Sequence, residues 1–176
     1  MKLNIKTKIF LWVLFLLAII MYSYLIFIYD FSDMKMFLFW SILSIIVESL
    51  LIPLPNNIVG VSVGYAINIA SIISGGPLLA TTSAFLGFLC RCPKVHGKGY
   101  IHTLNLPLYK TIFNLSQSVI VTTTIGLIYV LAGGNIGEFT LLPTIYIIII
   151  GVLLNTVIIS GFLSVSNNTK FFKTWG

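Results

Sequence analysis

The chain has 176 residues, of which 58% are hydrophobic and 8% charged, and its formal net charge is +6. A soluble domain carries about 25% charged residues, so a water-soluble fold of this composition would expose large apolar patches. The length suits one compact unit. Nucleic acid is an unsuitable partner, because the lysines are spread between apolar runs and form no basic helix or binding motif.

The composition predicts an all-α, polytopic transmembrane bundle of about six helices forming a single integral membrane domain over residues 1–176. The basic start leads into an apolar run, residues 9–28, with no small-residue cleavage site after it. It reads as an uncleaved first membrane helix rather than a signal peptide. A second helix is expected over 34–52, stopped by Pro53, with Pro53 and Pro55 setting an ordered turn. A third is expected over 59–73, broken by Gly75, Gly76 and Pro77, and a fourth over 78–89. Both are shorter than the roughly 20 residues a crossing needs. They are either short and tilted or a re-entrant hairpin, and a hairpin needs protein around it. Either arrangement returns the chain to the same side. A basic loop over 91–109 follows, then a fifth helix over 110–131, ended by Gly133 and Gly134, and a sixth over 139–165.

Charge placement agrees with this map. With a cytoplasmic N-terminus, every basic residue except Lys35 falls at a cytoplasmic end, while Asp30, Asp33 and Glu138 fall outside. Both termini are therefore expected in the cytoplasm of a multi-pass protein of the bacterial plasma membrane.

Glu48 is an acidic residue inside an apolar helix, where an ionised carboxylate must be paired, protonated or turned to a polar cavity. Lys110, at the same predicted end, is the expected partner. The structural reading is a helix-locking ion pair, and the functional reading is a ligand or proton site. Asn68, Asn114, Gln117 and Asn155 place amides in apolar surroundings. Asn114, Gln117 and Ser118 share a face, and buried amides need partners. They form either an interhelical network or, with Glu48, a polar pocket for a small ligand. Gly60 and Gly64, and Ser62, Ala66 and Ala70, recur at four-residue spacing, which permits close helix packing inside the chain or in a homodimer. The threonines at 122–124 need no role beyond bonding to carbonyls one turn back. The aromatic residues, Tyr129 among them, mostly lie near predicted helix ends, as interfacial belts do.

Cys90, Cys92, His96 and His102 are soft-metal candidates in the basic loop, but the first spacing is tighter than zinc sites use. Free thiols in a reducing compartment are the plainer reading. No nucleophile–base pair, phosphate loop or carboxylate dyad can be assembled, so neither an enzyme nor a cofactor is expected.

Several segments together resemble a known family. They are ESLLIPLP from Glu48, GVSVGYAIN from Gly60, Gly76-Pro77, YKTIFNLSQ from Tyr109, and Asn155-Thr156. Across residues 40–165 the pattern is similar to the N-terminal membrane region of bacterial HD-GYP and GGDEF signalling proteins. The resemblance implies a membrane-embedded input module that regulates cytoplasmic cyclic-di-GMP enzymes through a signalling domain or partner protein. The metal-binding and GGDEF strings of those enzymes do not occur in this sequence, so the output domain is absent from it, and the expected readings are a fragment, a stand-alone input module or a remnant. Two other readings stand beside it: a small-solute transporter or its substrate-binding membrane subunit, for which a broken helix is suited, and a structural membrane protein without a ligand.

Overall fold

The computed structural model describes residues 4–31, 33–50, 52–53, 60–61, 63–95 and 99–172. Among them the fold is an all-helical bundle, with two short β-ladders beside it.

Helix α1 spans Ile5–Ile28. It starts earlier than the apolar run suggests because Asn4 caps it: the Asn4 Oδ1 accepts from the Thr7 N–H at 2.7 Å and the Thr7 hydroxyl at 2.8 Å. The Asn4 amide also donates to the Val165 carbonyl, 3.0 Å away, so the first turn of α1 sits beside the last of α5. Helix α2 spans Met34–Ser49, and Asp33 caps it by accepting from the Lys35 and Met36 N–H groups. It ends before the expected residue 52. Pro53 disfavours helical angles at Ile52, and Ile52–Pro53 (β1) instead pairs antiparallel with Gly60–Val61 (β2).

Helix α3, Gly64–Cys90, covers the expected segment 78–89 and most of 59–73, but it starts at Gly64 rather than residue 59, because Gly60–Val61 is held in β2. Inside it Gly76 has φ 81° and ψ 178°, far from helical angles. Contacts with the next long helix, α4 (Leu108–Leu131), show what this does. Asn68 bonds Thr122 at 3.4 Å, and Thr81 bonds Thr123 at 3.3 Å. In a straight helix Asn68 and Thr81 would stand about 20 Å apart, yet they meet adjacent residues of α4. The chain therefore folds back at Gly76. Its limb 64–75 runs parallel to α4 and its limb 77–90 runs antiparallel. Pro77 starts the second limb, where its missing N–H costs nothing.

After α3 come Lys94–Val95 (β3) paired with Gly99–Tyr100 (β4), then the 3-10 turn Thr103–Asn105 (η1). The Thr103 hydroxyl donates to the Phe88 carbonyl at 2.8 Å, and the Thr111 hydroxyl donates to the Thr103 carbonyl at 3.0 Å, which seats η1 between α3 and α4. Helix α5, Leu141–Asn167, closes the fold and ends on Asn168 in the left-handed region, φ 53°.

Helix α4 is the hub, with α1, α3 and α5 packed around it. One apolar cluster joins Leu11, Leu14, Phe113, Val119 and Ile158, with Phe113 stacked on Phe162 at 4.2 Å between ring centroids. A second joins Ile72, Ala80, Ile125, Tyr129 and Ile147, all fully buried. Outward faces of α1, α2 and α5 remain apolar and exposed, Phe27 at 90% among them. That is a lipid-facing surface. Helices α1, α3, α4 and α5 are long and apolar enough to cross a membrane by length and composition, and the chain is a multi-pass membrane protein. For α3 the 27 residues are shared between two limbs.

Candidate functional site

The polar residues singled out in the sequence fall at three places around α3 and α4. The first is the end of α2. There the second limb of α3 runs parallel to α2, and the offset between facing residues shifts by one position along it. Ser41 meets Ser83 at 3.3 Å, the Ser44 side chain fits against the bare Cα of Gly87, and Glu48 meets Arg91. One step further, the Ser49 hydroxyl accepts from the Cys92 N–H at 2.9 Å and donates to the Ile45 carbonyl at 2.7 Å. The Glu48 Oε2 lies 3.5 Å from an Arg91 guanidinium nitrogen, and the two side chains are only 4% and 13% exposed. The expected contact with Lys110 is replaced, and Lys110 is exposed. Burial pulls the Arg91 pKa down and the Glu48 carboxylate pushes it back up. The guanidinium stays charged throughout the physiological range. It also lies over the Phe88 ring, 4.5 Å from its centroid.

The second place lies between the two limbs of α3 and α4. Asn68, Ser71, Thr81, Thr122 and Thr123 are all buried there. Thr122 and Thr123 take part in bonds to Asn68 and Thr81 across the helix boundary, a role their sequence position does not suggest. Ser71 donates to its own helix, to the Asn68 carbonyl at 2.9 Å. The third place joins α4 to α5, where the Gln117 Nε2 donates to the Asn155 Oδ1 at 2.5 Å. Asn114 is half-buried one turn earlier on α4, and Ser118 is buried beside Gln117. Glu48, Asn68 and the Gln117–Asn155 pair thus have separate partners. Away from these residues, two adjoining cavities of about 290 and 480 Å³ open between α1 and α4.

Two tyrosines matter more than their sequence positions imply. Tyr129 is fully buried. Its hydroxyl lies 2.6 Å from the Thr140 hydroxyl and donates to the Glu138 carbonyl at 2.9 Å, which fastens the α4–α5 loop over the hairpin tip. The aromatic-belt assignment is therefore corrected for this residue. The Gly137 N–H donates to the Ile73 carbonyl at 2.7 Å and completes that contact. The Tyr65 hydroxyl donates to the Ile147 carbonyl at 2.8 Å and ties the first limb to α5. A tyrosine whose ring enters the bundle cannot be told from a belt tyrosine by hydropathy.

Of the expected packing residues, Gly64 is buried, Ala70 is half-buried, Ala66 is exposed, Gly60 lies in β2, and Ser62 is outside the described residues. Cys90 is exposed and Cys92 half-buried, both free. The His102 Nδ1 accepts from the Leu104 N–H at 3.1 Å and caps η1. His96 is outside the described residues, among which no cluster of three His, Cys, Asp or Glu side chains could hold a metal ion. No protein-family model matches the chain, and no curated protein or solved structure shows significant similarity to it.

Proposed function

We propose that the chain is a sensory input module of the bacterial plasma membrane, with both termini cytoplasmic, that regulates cyclic-di-GMP turnover. The observation that favours this reading is the polar line shared by α2 and the second limb of α3. It starts at neutral hydroxyls inside the bundle, Ser41 and Ser83, and ends at the Glu48–Arg91 pair. Weak hydroxyl contacts can change partners at little cost, whereas the ion pair has two distinct states, closed and open. A signal that shifts the hairpin is thereby converted into a change at Arg91, where a cytoplasmic partner or signalling domain can read it. In this topology the four rods α1, α2, α4 and α5 cross the membrane and the two α3 limbs enter and leave on one side.

The test is cellular. Expressing the full chain in a bacterial strain with a cyclic-di-GMP reporter should change the signal, and Glu48→Gln should alter that response. Reporter readings that are the same for the parent chain, Glu48→Gln, Asn114→Ala and an empty vector would end the sensory reading.

A second reading, a small-solute transporter or its membrane subunit, draws on the break at Gly76, since discontinuous helices line many transport sites. Uptake by proteoliposomes containing the purified chain would favour it. A homodimer across the face of exposed Ala66 and half-buried Ala70 belongs to the structural reading, and crosslinking through Ala66→Cys tests it.

A further inference from the structure

The two adjoining cavities share Phe15 and Ile112 and form one continuous groove between α1 and α4. Its mouth carries Lys8, Trp12 and Tyr109. Its depth is bounded by Ala18, Tyr22 and Phe85, the last contributed by the second limb of α3. From Lys8 to Tyr22 the groove follows α1 for about 21 Å at the helical rise. One leaflet of the hydrocarbon core is about 15 Å deep, so the groove reaches from the head-group level to the bilayer centre. Beyond the mouth the lining is almost wholly apolar, and small Ala18 sits where larger neighbours leave depth. The mouth is placed at the same end of the bundle as Val165 by the Asn4 bond to that carbonyl.

We infer that this groove holds one acyl chain of an anionic phospholipid from the leaflet at the basic end of the bundle, with its phosphate against Lys8. Three features select that occupant. The apolar lining excludes a polar solute. The length matches one leaflet and so one acyl chain. The exposed lysine at the mouth complements a negative head group, and Trp12 and Tyr109 are side chains suited to the head-group level. Because Phe85 belongs to the α3 hairpin, an occupied groove also bears on the element that carries Arg91.

Trp12 is a built-in reporter. The full chain carrying Trp40→Phe and Trp175→Phe is reconstituted in phosphatidylcholine vesicles. These contain an equal, low mole fraction of acyl-brominated phosphatidylglycerol or acyl-brominated phosphatidylcholine. Quenching of Trp12 should show an apparent preference of about fivefold for the anionic lipid, the size of effect one lysine near a membrane surface supplies. Lys8→Gln, at an exposed position, should erase the preference. Ile112→Phe, which narrows the groove and leaves Lys8 in place, should lower it. Equal quenching by both lipids overturns the inference. So does a preference that survives Lys8→Gln. A preference untouched by Ile112→Phe shows attraction at the surface alone and equally overturns the groove. Far-UV circular dichroism on each variant confirms that the helices are retained.

Discussion

Replacing Gly76 by alanine tests the reversal on which the fold depends. At φ 81° and ψ 178° the residue occupies a region that is essentially reserved for glycine. A Cβ there would also meet the Ile136 Cδ1 at 2.9 Å, but that atom is the end of a flexible side chain and can turn away. The backbone therefore dominates, and Gly76→Ala should cost about 1–3 kcal/mol. Gly76→Asn should cost about as much, because asparagine tolerates the left-handed helical region and not this one. Ile136→Ala in the Gly76→Ala background removes the contact and leaves the backbone strain, so it should restore little. The assay is equilibrium unfolding in mild detergent followed by circular dichroism, with all four proteins compared at one detergent concentration. An unchanged midpoint in Gly76→Ala would mean ordinary helical angles at this residue, and the hairpin would be wrong. Full rescue by Ile136→Ala would mean that crowding, not backbone geometry, holds the position.

The remaining predictions use the contacts around the hairpin. With Cys90 and Cys92 replaced by serine, the cysteine pairs Asn68→Cys/Thr122→Cys and Thr81→Cys/Thr123→Cys should both be joined by a short bifunctional thiol reagent; a straight α3 would permit at most one. Arg91→Ala leaves a buried carboxylate and should lose about 3–5 kcal/mol of stability, whereas the Glu48→Gln/Arg91→Gln double variant should lose less than the sum of its parts, as read by a double-mutant cycle. Gln117→Leu should cost about 0.6–1.7 kcal/mol, the range of interhelical hydrogen bonds in membranes, and adding Asn155→Leu should cost little more in the same unfolding assay. Tyr129→Phe should destabilise by about 1–3 kcal/mol through the polar groups left behind, and hydrogen exchange should rise first in the 132–140 loop.

The membrane character was legible because composition alone leaves no soluble solution. The break at Gly75, Gly76 and Pro77 was legible too, since glycine permits positive φ and the proline after it lacks a backbone donor. Glu48 stood out by its charge, but its partner did not. Choosing Arg91 over Lys110 requires the parallel register of α2 and the second limb, and that register exists only once the chain has turned at Gly76. The pairing of Gln117 with Asn155 is similar: one helix face shows that the amide needs a partner, and only packing says which helix supplies it. Tyr129 was misplaced because the loop after α4 folds back over it, with Gly133 at φ 84° starting the turn, so nearness to a helix end did not mean nearness to water.

The hairpin gives the molecule a lopsided hydrophobic belt. At the helical rise, α2 is about 24 Å long and the second limb of α3 about 21 Å, against about 36 Å for α1 and α4 and about 40 Å for α5. One flank is thus shorter than the roughly 30 Å hydrocarbon core and the other longer. Lipid must thin beside α2 and α3 and thicken, or the long helices tilt, on the opposite side. Stretching or thinning the bilayer relieves the first flank and strains the second, so membrane thickness itself acts with opposite sign on the two halves of the bundle.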